Sequence, residues 1–296
     1  MEELTSKNIL SDFLLIFNNF SSSSIRFKAK PLFLKFGKIA ICKISNSIDF
    51  GMGSNSFIPM NMVTNNIPGK AVMAVFQKDP QIIMTHPEND IRNLEDMRDL
   101  PIMISDASIG AFWLWLKSKY GFTDSQIRKK TFSLAPFLSN KSSIQQGYLT
   151  SEPFLVEKEA DFAPRVFLLA DYGYPSYGAM VLASSEVITN NPEIVKAFVN
   201  ASIEGWRQYI YEDPSLGNEL IMLENNEMKE DILLQAIKKI RNYELVSNEI
   251  SKGLDIGLMT DIKWESFFET MASNGVYEKN LKWRESFTLD FINKEN

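Results

Sequence analysis

Short runs of apolar and β-branched residues, bounded by Gly, Pro, Asn or Asp, recur along the chain from residue 48 onward. Runs of this length and composition predict β-strands. The predicted strands cover residues 48–53, 70–76, 81–85, 101–105, 131–134, 167–170 and 179–183. Helices are predicted between them at 54–66, 91–97, 111–120, from 123, and at 142–147. Strands that alternate with helices in this way indicate an α/β protein with mostly parallel sheets.

Capping residues mark several of the predicted helix ends. Gly121 follows the 111–120 helix at the position where a left-handed residue often ends a helix. Thr123 and Gln126 have the spacing of a capping box. Asn191 followed by Pro192 predicts the start of a longer helix with a clear apolar stripe. Two more helices follow, so the chain is expected to end in a helical tail.

The order of these elements predicts two lobes with a ligand cleft. Residues 48–88 together with 190–296 are expected to form the first lobe, covered by the helical tail, and residues 89–189 the second. Residues 1–47 are atypical, because they carry seven Lys/Arg and three Asp/Glu, a balance of +4, whereas the remaining 24 and 34 give −10. In such α/β folds ligands bind where strands end, in the crevice between halves.

Composition narrows the function classes. With 45% hydrophobic residues and a net charge of −6, the 296-residue chain has the composition of a globular protein that does not bind nucleic acid. The single cysteine, Cys42, excludes an internal disulfide and a cysteine-based zinc site, and the single histidine, His86, excludes a two-histidine metal site. No metal site is predicted, and His86 is interpreted as a loop or hinge histidine rather than a catalytic one.

Three loop motifs resemble one protein family. They are Asp49-Phe50-Gly51-Met52-Gly53, Gln145 to Pro153 (Gln-Gln-Gly-Tyr-Leu-Thr-Ser-Glu-Pro), and Leu169 to Pro175 (Leu-Ala-Asp-Tyr-Gly-Tyr-Pro). The chain from about residue 47 to 294 resembles ABC-transporter solute-binding proteins of the nitrate/sulfonate/taurine type, in the branch similar to thiamine-pyrimidine synthase. The resemblance implies a type II periplasmic-binding-protein fold, and family members have an opening unit that residues 1–47 do not match.

The resemblance also implies a function. The chain is expected to be a monomer without a cofactor that captures a small heteroaromatic ligand, such as a thiamine-pyrimidine precursor, for the permease and ATPase of an ABC importer. Riboflavin or another flavin-type ligand is the second alternative. The implied location is the periplasm, although no signal peptide is recognisable, which would indicate the cytoplasm if the N-terminus is native.

Candidate ligand contacts lie on the loops of the proposed cleft. Glu152 matches the family's cleft-loop acid and is the first choice to accept a hydrogen bond from an exocyclic amine. Aromatic candidates for stacking or hydroxyl contacts are Tyr148, Tyr172, Tyr174 and Tyr177, with Trp113 on the helix after Gly110. Ser54, Asn55 and Ser108 open predicted helices, where free N–H groups suit an oxygen-rich ligand edge, although ordinary capping needs the same residue types.

Two other function classes remain open. The enzyme alternative is thiamine-pyrimidine synthase itself, which uses pyridoxal phosphate, a histidine and a cysteine-rich iron motif; the lone Cys42 does not supply that motif. A sensory or interaction module with the same fold has no supporting sequence feature. Ligand affinity without turnover distinguishes a binding protein from the enzyme.

Overall fold

The computed structural model describes residues 49–131, 133–248 and 253–292. The atypical segment 1–47, including Cys42, lies outside the described residues. The strands are β1 (Phe50–Asn55), β2 (Gly69–Phe76), β3 (Gln81–Thr85), β4 (Ile102–Ile104), β5 (Ile127–Lys129), β6 (Ile144–Tyr148), β7 (Arg165–Leu168) and β8 (Gly178–Ser184).

The helices surround these strands in chain order. They are α1 (Phe57–Thr64), α2 (Asp106–Ile109), α3 (Phe112–Tyr120), α4 (Ala135–Leu138), α5 (Glu152–Glu159), α6 (Ser185–Asn190), α7 (Pro192–Tyr211), α8 (Ser215–Glu224), α9 (Glu230–Asn242) and α10 (Asp261–Ser273). Short 3₁₀ turns occur at Glu95–Met97, Asp124–Gln126, Leu169–Tyr172 and Trp283–Ser286. No helix in the described part of the chain combines the length and apolarity that a membrane crossing requires.

The strands form two sheets. The three-stranded sheet has the order β1-β8-β2, and β8 is antiparallel to both neighbours. The five-stranded sheet has the order β5-β4-β6-β3-β7; β4 is parallel to β5 and β6, whereas β3 is antiparallel to β6 and β7. All residues of β3 and β8 are buried, so these strands form the middle of each core.

Contact density divides the chain into two compact units. The first unit takes residues up to 78, 176–268 and those from 280 onward, and contains the three-stranded sheet. The second unit takes residues 79–175 and 269–279, and contains the five-stranded sheet. The predicted lobes placed β3 in the first lobe and β8 in the second, which differs from this division. The predicted lobe boundaries therefore stay a prediction.

The mixed α/β class and the periplasmic-binding-protein fold are confirmed, but the expectation of mostly parallel sheets is wrong. β1 and β2 run in the same direction, and β8 lies between them in the opposite direction. That pairing joins residues more than 100 positions apart in the chain, so no local pattern indicates it. In the second unit, β3 takes a central position with antiparallel neighbours on both sides.

Two element predictions near the candidate site are wrong. Residues 142–147 were expected to form a helix, but Ile144–Tyr148 is strand β6. The strand expected at 131–134 is instead β5 at Ile127–Lys129. Both segments carry polar residues on strands, and β6 buries the side chains of Gln145 and Gln146. Because buried strands usually read as apolar runs, these polar strands escape recognition.

Local capping signals are confirmed. Gly121 takes a left-handed conformation with φ of 71° directly after α3. Thr123 and Gln126 form the predicted capping box around a 3₁₀ turn. α7 starts with Pro192 at its first turn and buries Val195 and Val199 along its inner face. Helices α7, α8 and α9, the helical tail, belong to the first unit.

Candidate functional site

The Glu152 carboxylate lies at the carboxyl edge of the parallel strands in the second unit. Glu152 is the first residue of α5, directly after β6. Its Oε1 accepts a hydrogen bond from Lys130 Nζ at 2.6 Å, and its Oε2 accepts one from the Tyr148 backbone N–H at 2.9 Å. The Lys130 and Glu152 side chains are only 15% and 17% exposed, so this ion pair is shielded from water. The contacts hold the carboxylate in one orientation.

The chain folds back on itself at Gly147 to bring Glu152 into place. A Cβ added at Gly147 would lie 3.1 Å from Glu152 Cβ and 3.4 Å from its Cδ. A side chain at this position would therefore push Glu152 away from its two donors. Lys130 reaches the same carboxylate from the end of β5, where its backbone N–H bonds to the Ile104 carbonyl at 3.1 Å.

Tyr148 carries its phenol on the face of β6 opposite to Gly147, because side chains alternate along a strand. Burial raises the pKa of Tyr148, and the negative charge of Asp79 acts in the same direction, whereas a hydrogen bond with Gln81 opposes them. Asp79 is fully buried, and its Oδ1 accepts a hydrogen bond from the Gln81 backbone N–H at 3.0 Å. The phenol therefore stays protonated at neutral pH and retains its hydroxyl hydrogen.

Ser108 belongs to a second polar group at the same edge. Gln146 in β6 accepts a hydrogen bond from the Ser105 backbone N–H at 2.7 Å and donates one to Ser108 Oγ at 2.9 Å. The two serine hydroxyl oxygens lie 2.9 Å apart. Ser105, not Ser108, occupies the N-cap position of α2. Ser105 and Gln146 were not among the predicted site residues.

The indole of Trp113 is fully buried, and its Nε1 donates to Asp124 Oδ1 at 2.9 Å. Lys117 Nζ donates to the other oxygen of that carboxylate at 2.7 Å. These hydrogen bonds, that of Lys117 first, lower the pKa of Asp124. The neighbouring Trp115 is 1% exposed. These contacts account for the Trp113 indole without a ligand, and its proposed ligand contact stays a prediction.

The three predicted loop tyrosines differ in accessibility. Tyr172 is half-buried, and its carbonyl accepts a hydrogen bond from Lys119 Nζ at 2.5 Å. Tyr174 is 3% exposed, and its ring centroid lies 5.2 Å from that of Trp115. Gly173 between them has a φ of 87°, which reverses the chain direction. Tyr172 is therefore the more accessible of the two phenols in the second unit.

Tyr177 and the predicted helix-start residues belong to the first unit. Tyr177 is 1% exposed, and its hydroxyl accepts a hydrogen bond from the Thr260 backbone N–H at 3.0 Å. Ser54 and Asn55 are half-buried and lie in β1, and Asn55 Oδ1 accepts from the Phe57 N–H at 3.1 Å. The N-cap of α1 is Ser56 rather than Ser54 or Asn55.

His86 is enclosed by aromatic rings in the second unit. It is 4% exposed, and its ring lies 4.7 Å from the centroids of Phe137 and Phe162. Its Nε2 lies 2.7 Å from the Phe137 carbonyl oxygen, and because a carbonyl only accepts, Nε2 carries the hydrogen. The histidine therefore has a structural environment, away from solvent.

A cavity of about 740 Å³ lies at the opposite edge of the five-stranded sheet. Its lining includes Pro101 and Met103 at the start of β4, Ser143 and Ile144 at the start of β6, and Asn89 after β3. None of the predicted site residues lines it. Among the described residues, no three His, Cys, Asp or Glu side chains are grouped in a way that could hold a metal ion.

Comparisons with known proteins relate the chain to one family and one fold. Residues 44–216 match the family model described as NMT1/THI5 like. The riboflavin-binding protein RibY of Chloroflexus aurantiacus is 22% identical over 236 residues, which cover 76% of this chain and 65% of RibY. The chain thus spans just under two thirds of the length of this curated relative.

Solved structures with the same fold include binding proteins and an enzyme. The periplasmic aliphatic sulphonate binding protein SsuA from Escherichia coli superposes with a TM-score of 0.65 at 12% identity, covering 95% of this chain and 89% of SsuA. The desulfurization enzyme DSZB superposes with a TM-score of 0.53 at 11% identity, covering 82% and 83%. These likenesses show the fold, and the fold alone does not determine the function.

Proposed function

This chain belongs to the NMT1/THI5-like family, and we propose that it is the solute-binding component of an ABC importer that captures a small heteroaromatic ligand without transforming it. Its partners in this proposal are the permease and ATPase of the importer, and its location is the periplasm. The binding proteins among the structural neighbours support this class of function.

The observation that carries the proposal is the orientation of the Glu152 carboxylate. A carboxylate has about four lone-pair positions, and Lys130 and the Tyr148 N–H use two of them. The remaining positions suit the N–H donors of a heteroaromatic ring, either an exocyclic amine or a ring imide. Because Lys130 and the backbone already orient the carboxylate, a ligand loses little free energy in ordering it.

Two ligand types fit this chemistry. A flavin offers a ring N–H together with carbonyl and ring-nitrogen acceptors, and the name of RibY favours it. A thiamine-pyrimidine precursor offers an exocyclic amine and ring nitrogens, and the loop motifs around Glu152 favour it. Tyr172, as the more accessible phenol, is the proposed aromatic contact of either ring.

The synthase alternative has less support. DSZB indicates that an enzyme occurs on this fold, but the enzyme alternative also needs a histidine that reacts. His86 is buried between two phenyl rings, with Nε2 bonded to a backbone carbonyl. Cys42, the single cysteine, lies outside the described residues.

A thermal-shift screen tests the proposal. Riboflavin, the free aminopyrimidine and thiamine are each added to the wild-type chain, to Glu152→Gln and to Glu157→Gln, an exposed acid on the same helix. A ligand at about 100 times its Kd stabilises the fold by about 2.7 kcal/mol, which raises Tm by roughly 5 °C or more. We expect this shift in the wild type and in Glu157→Gln, and a much smaller one in Glu152→Gln. If none of the three ligands raises Tm, the proposed function is wrong.

A further inference from the structure

Ser105, Ser108 and Gln146 form a closed polar group at the carboxyl edge of β4 and β6. Ser108 and Gln146 are 6% and 5% exposed. The Gln146 amide bridges the Ser105 backbone N–H and Ser108 Oγ at 2.7 and 2.9 Å, and the two hydroxyl oxygens are 2.9 Å apart. Buried polar side chains of this kind are positioned by their hydrogen bonds.

The direction of the hydrogen bonds at Gln146 follows from the backbone. The Ser105 N–H can only donate, so the amide must turn its oxygen toward Ser105. The amide nitrogen therefore faces Ser108 Oγ and donates to it. Unlike most buried amides, this one leaves no ambiguity between its oxygen and its nitrogen.

A count of hydrogens shows that one serine hydroxyl is left over. Ser105 and Ser108 bring one hydroxyl hydrogen each, and their mutual contact uses one of the two. Ser108 Oγ already accepts from Gln146, and no other described side chain or carbonyl accepts from either hydroxyl. Whichever serine donates to the other, one O–H remains without an acceptor within the group.

We propose that this serine pair is a donor subsite that binds a hydrogen-bond acceptor of the ligand, with Gln146 as the positioning residue that fixes its polarity. The acceptor is a ring nitrogen, a carbonyl oxygen or an anionic oxygen. Its identification with the acceptor edge of a heteroaromatic ring rests on the proposed function. The subsite complements Glu152, which accepts, so that the edge of this unit recognises both donors and acceptors.

A near-isosteric change at Gln146 reverses the polarity of the group. In Gln146→Glu, the ionised carboxylate accepts from both the Ser105 N–H and the Ser108 hydroxyl. Ser105 then donates to Ser108, both hydroxyl hydrogens are used, and only lone pairs remain for a ligand. The neutral acid form has an O–H that donates to Ser108 as the amide does, so it restores the original polarity.

The test uses pyridine N-oxide, a flat ring whose oxygen only accepts, and ¹⁵N-labelled full-length chain. The backbone amide signals of Ser105 and Ser108 are followed by NMR during titration at several pH values. In the wild type we expect both signals to shift with the same apparent Kd at every pH. In Gln146→Glu we expect affinity at least about tenfold weaker at high pH, with recovery as the acid is protonated. Gln208→Glu, the same change in the other unit, is expected to behave as the wild type.

Three results would overturn the proposal: no shift of Ser105 and Ser108 in the wild type, equal affinity in Gln146→Glu at all pH values, or a pH-independent loss. If Gln146→Glu does not fold, Ser105→Ala/Ser108→Ala decides, because removal of both hydroxyls must abolish the shifts of the neighbouring amides. The probe is independent of the natural ligand. A failed heterocycle screen with a positive N-oxide titration therefore refutes the proposed function alone, and the reverse result refutes only the subsite.

Discussion

Replacing Lys130 by methionine removes the positive charge that pairs with Glu152 but keeps an unbranched side chain. At 2.6 Å, two unit charges attract by about 6 kcal/mol at an effective dielectric constant of about 20, and by about 1.6 kcal/mol in bulk water. Breaking a fully buried pair costs about 3–5 kcal/mol, because the remaining charge is left without a partner. Since these side chains are 15% and 17% exposed, we expect Lys130→Met to lower the free energy of unfolding by about 2–3 kcal/mol.

Urea denaturation of the full chain measures this loss, and the chain offers a matched control. Lys141 and Glu88 form an ion pair of 2.7 Å, almost the same length, but their side chains are 74% and 64% exposed. Because exposed pairs contribute about 0–1 kcal/mol, Lys141→Met is expected to cost about 0.5 kcal/mol or less. Adding Glu152→Gln to Lys130→Met is expected to recover part of the stability. Equal losses in the two single lysine variants would refute the assignment of Lys130–Glu152 as a shielded, structurally important pair.

Two further predictions concern the second unit. Gly147→Ala is expected to cost about 1–2 kcal/mol of stability and to reduce the ligand-induced rise in Tm, because the added methyl displaces Glu152; in Gly51→Ala, where an added Cβ meets nothing within 4 Å, both quantities should stay unchanged. The hydrogen bond from Lys117 lowers the pKa of Asp124, so this carboxylate stabilises the fold above its ordinary value of 3.8 and loses that contribution as the pH falls through the lowered value. Asp124→Asn is therefore expected to flatten the acid limb of the stability curve, and an unchanged limb would contradict it.

Signals that depend on a few neighbouring residues were predictable from the sequence. Gly121 ends α3 in a left-handed conformation, and the Thr123–Gln126 capping box closes as its spacing predicts. The α/β class followed from the alternation of strands and helices. The loop motif that contains Glu152 carried enough resemblance to indicate the fold before any pairing of strands was known.

Pairings over long sequence distances were not predictable in the same way. Lys130 and Glu152 are 22 positions apart, and their contact depends on β4 and β6 lying side by side. Strand β6 was mistaken for a helix because its buried Gln145 and Gln146 break the apolar pattern of a core strand. That error also concealed the Gln146–Ser108 hydrogen bond, since a helix at 142–147 would not have brought these residues together.

The central claim is that the chain binds a small heteroaromatic ligand and releases it unchanged. Isothermal titration calorimetry of the wild-type chain with riboflavin and with the free aminopyrimidine, followed by mass spectrometry of the recovered ligand, tests it most directly. The account predicts saturable binding of one ligand per chain with a micromolar or lower Kd, and recovery of the ligand at its original mass. Absence of binding for both ligands, or recovery of a chemically altered ligand, would contradict it.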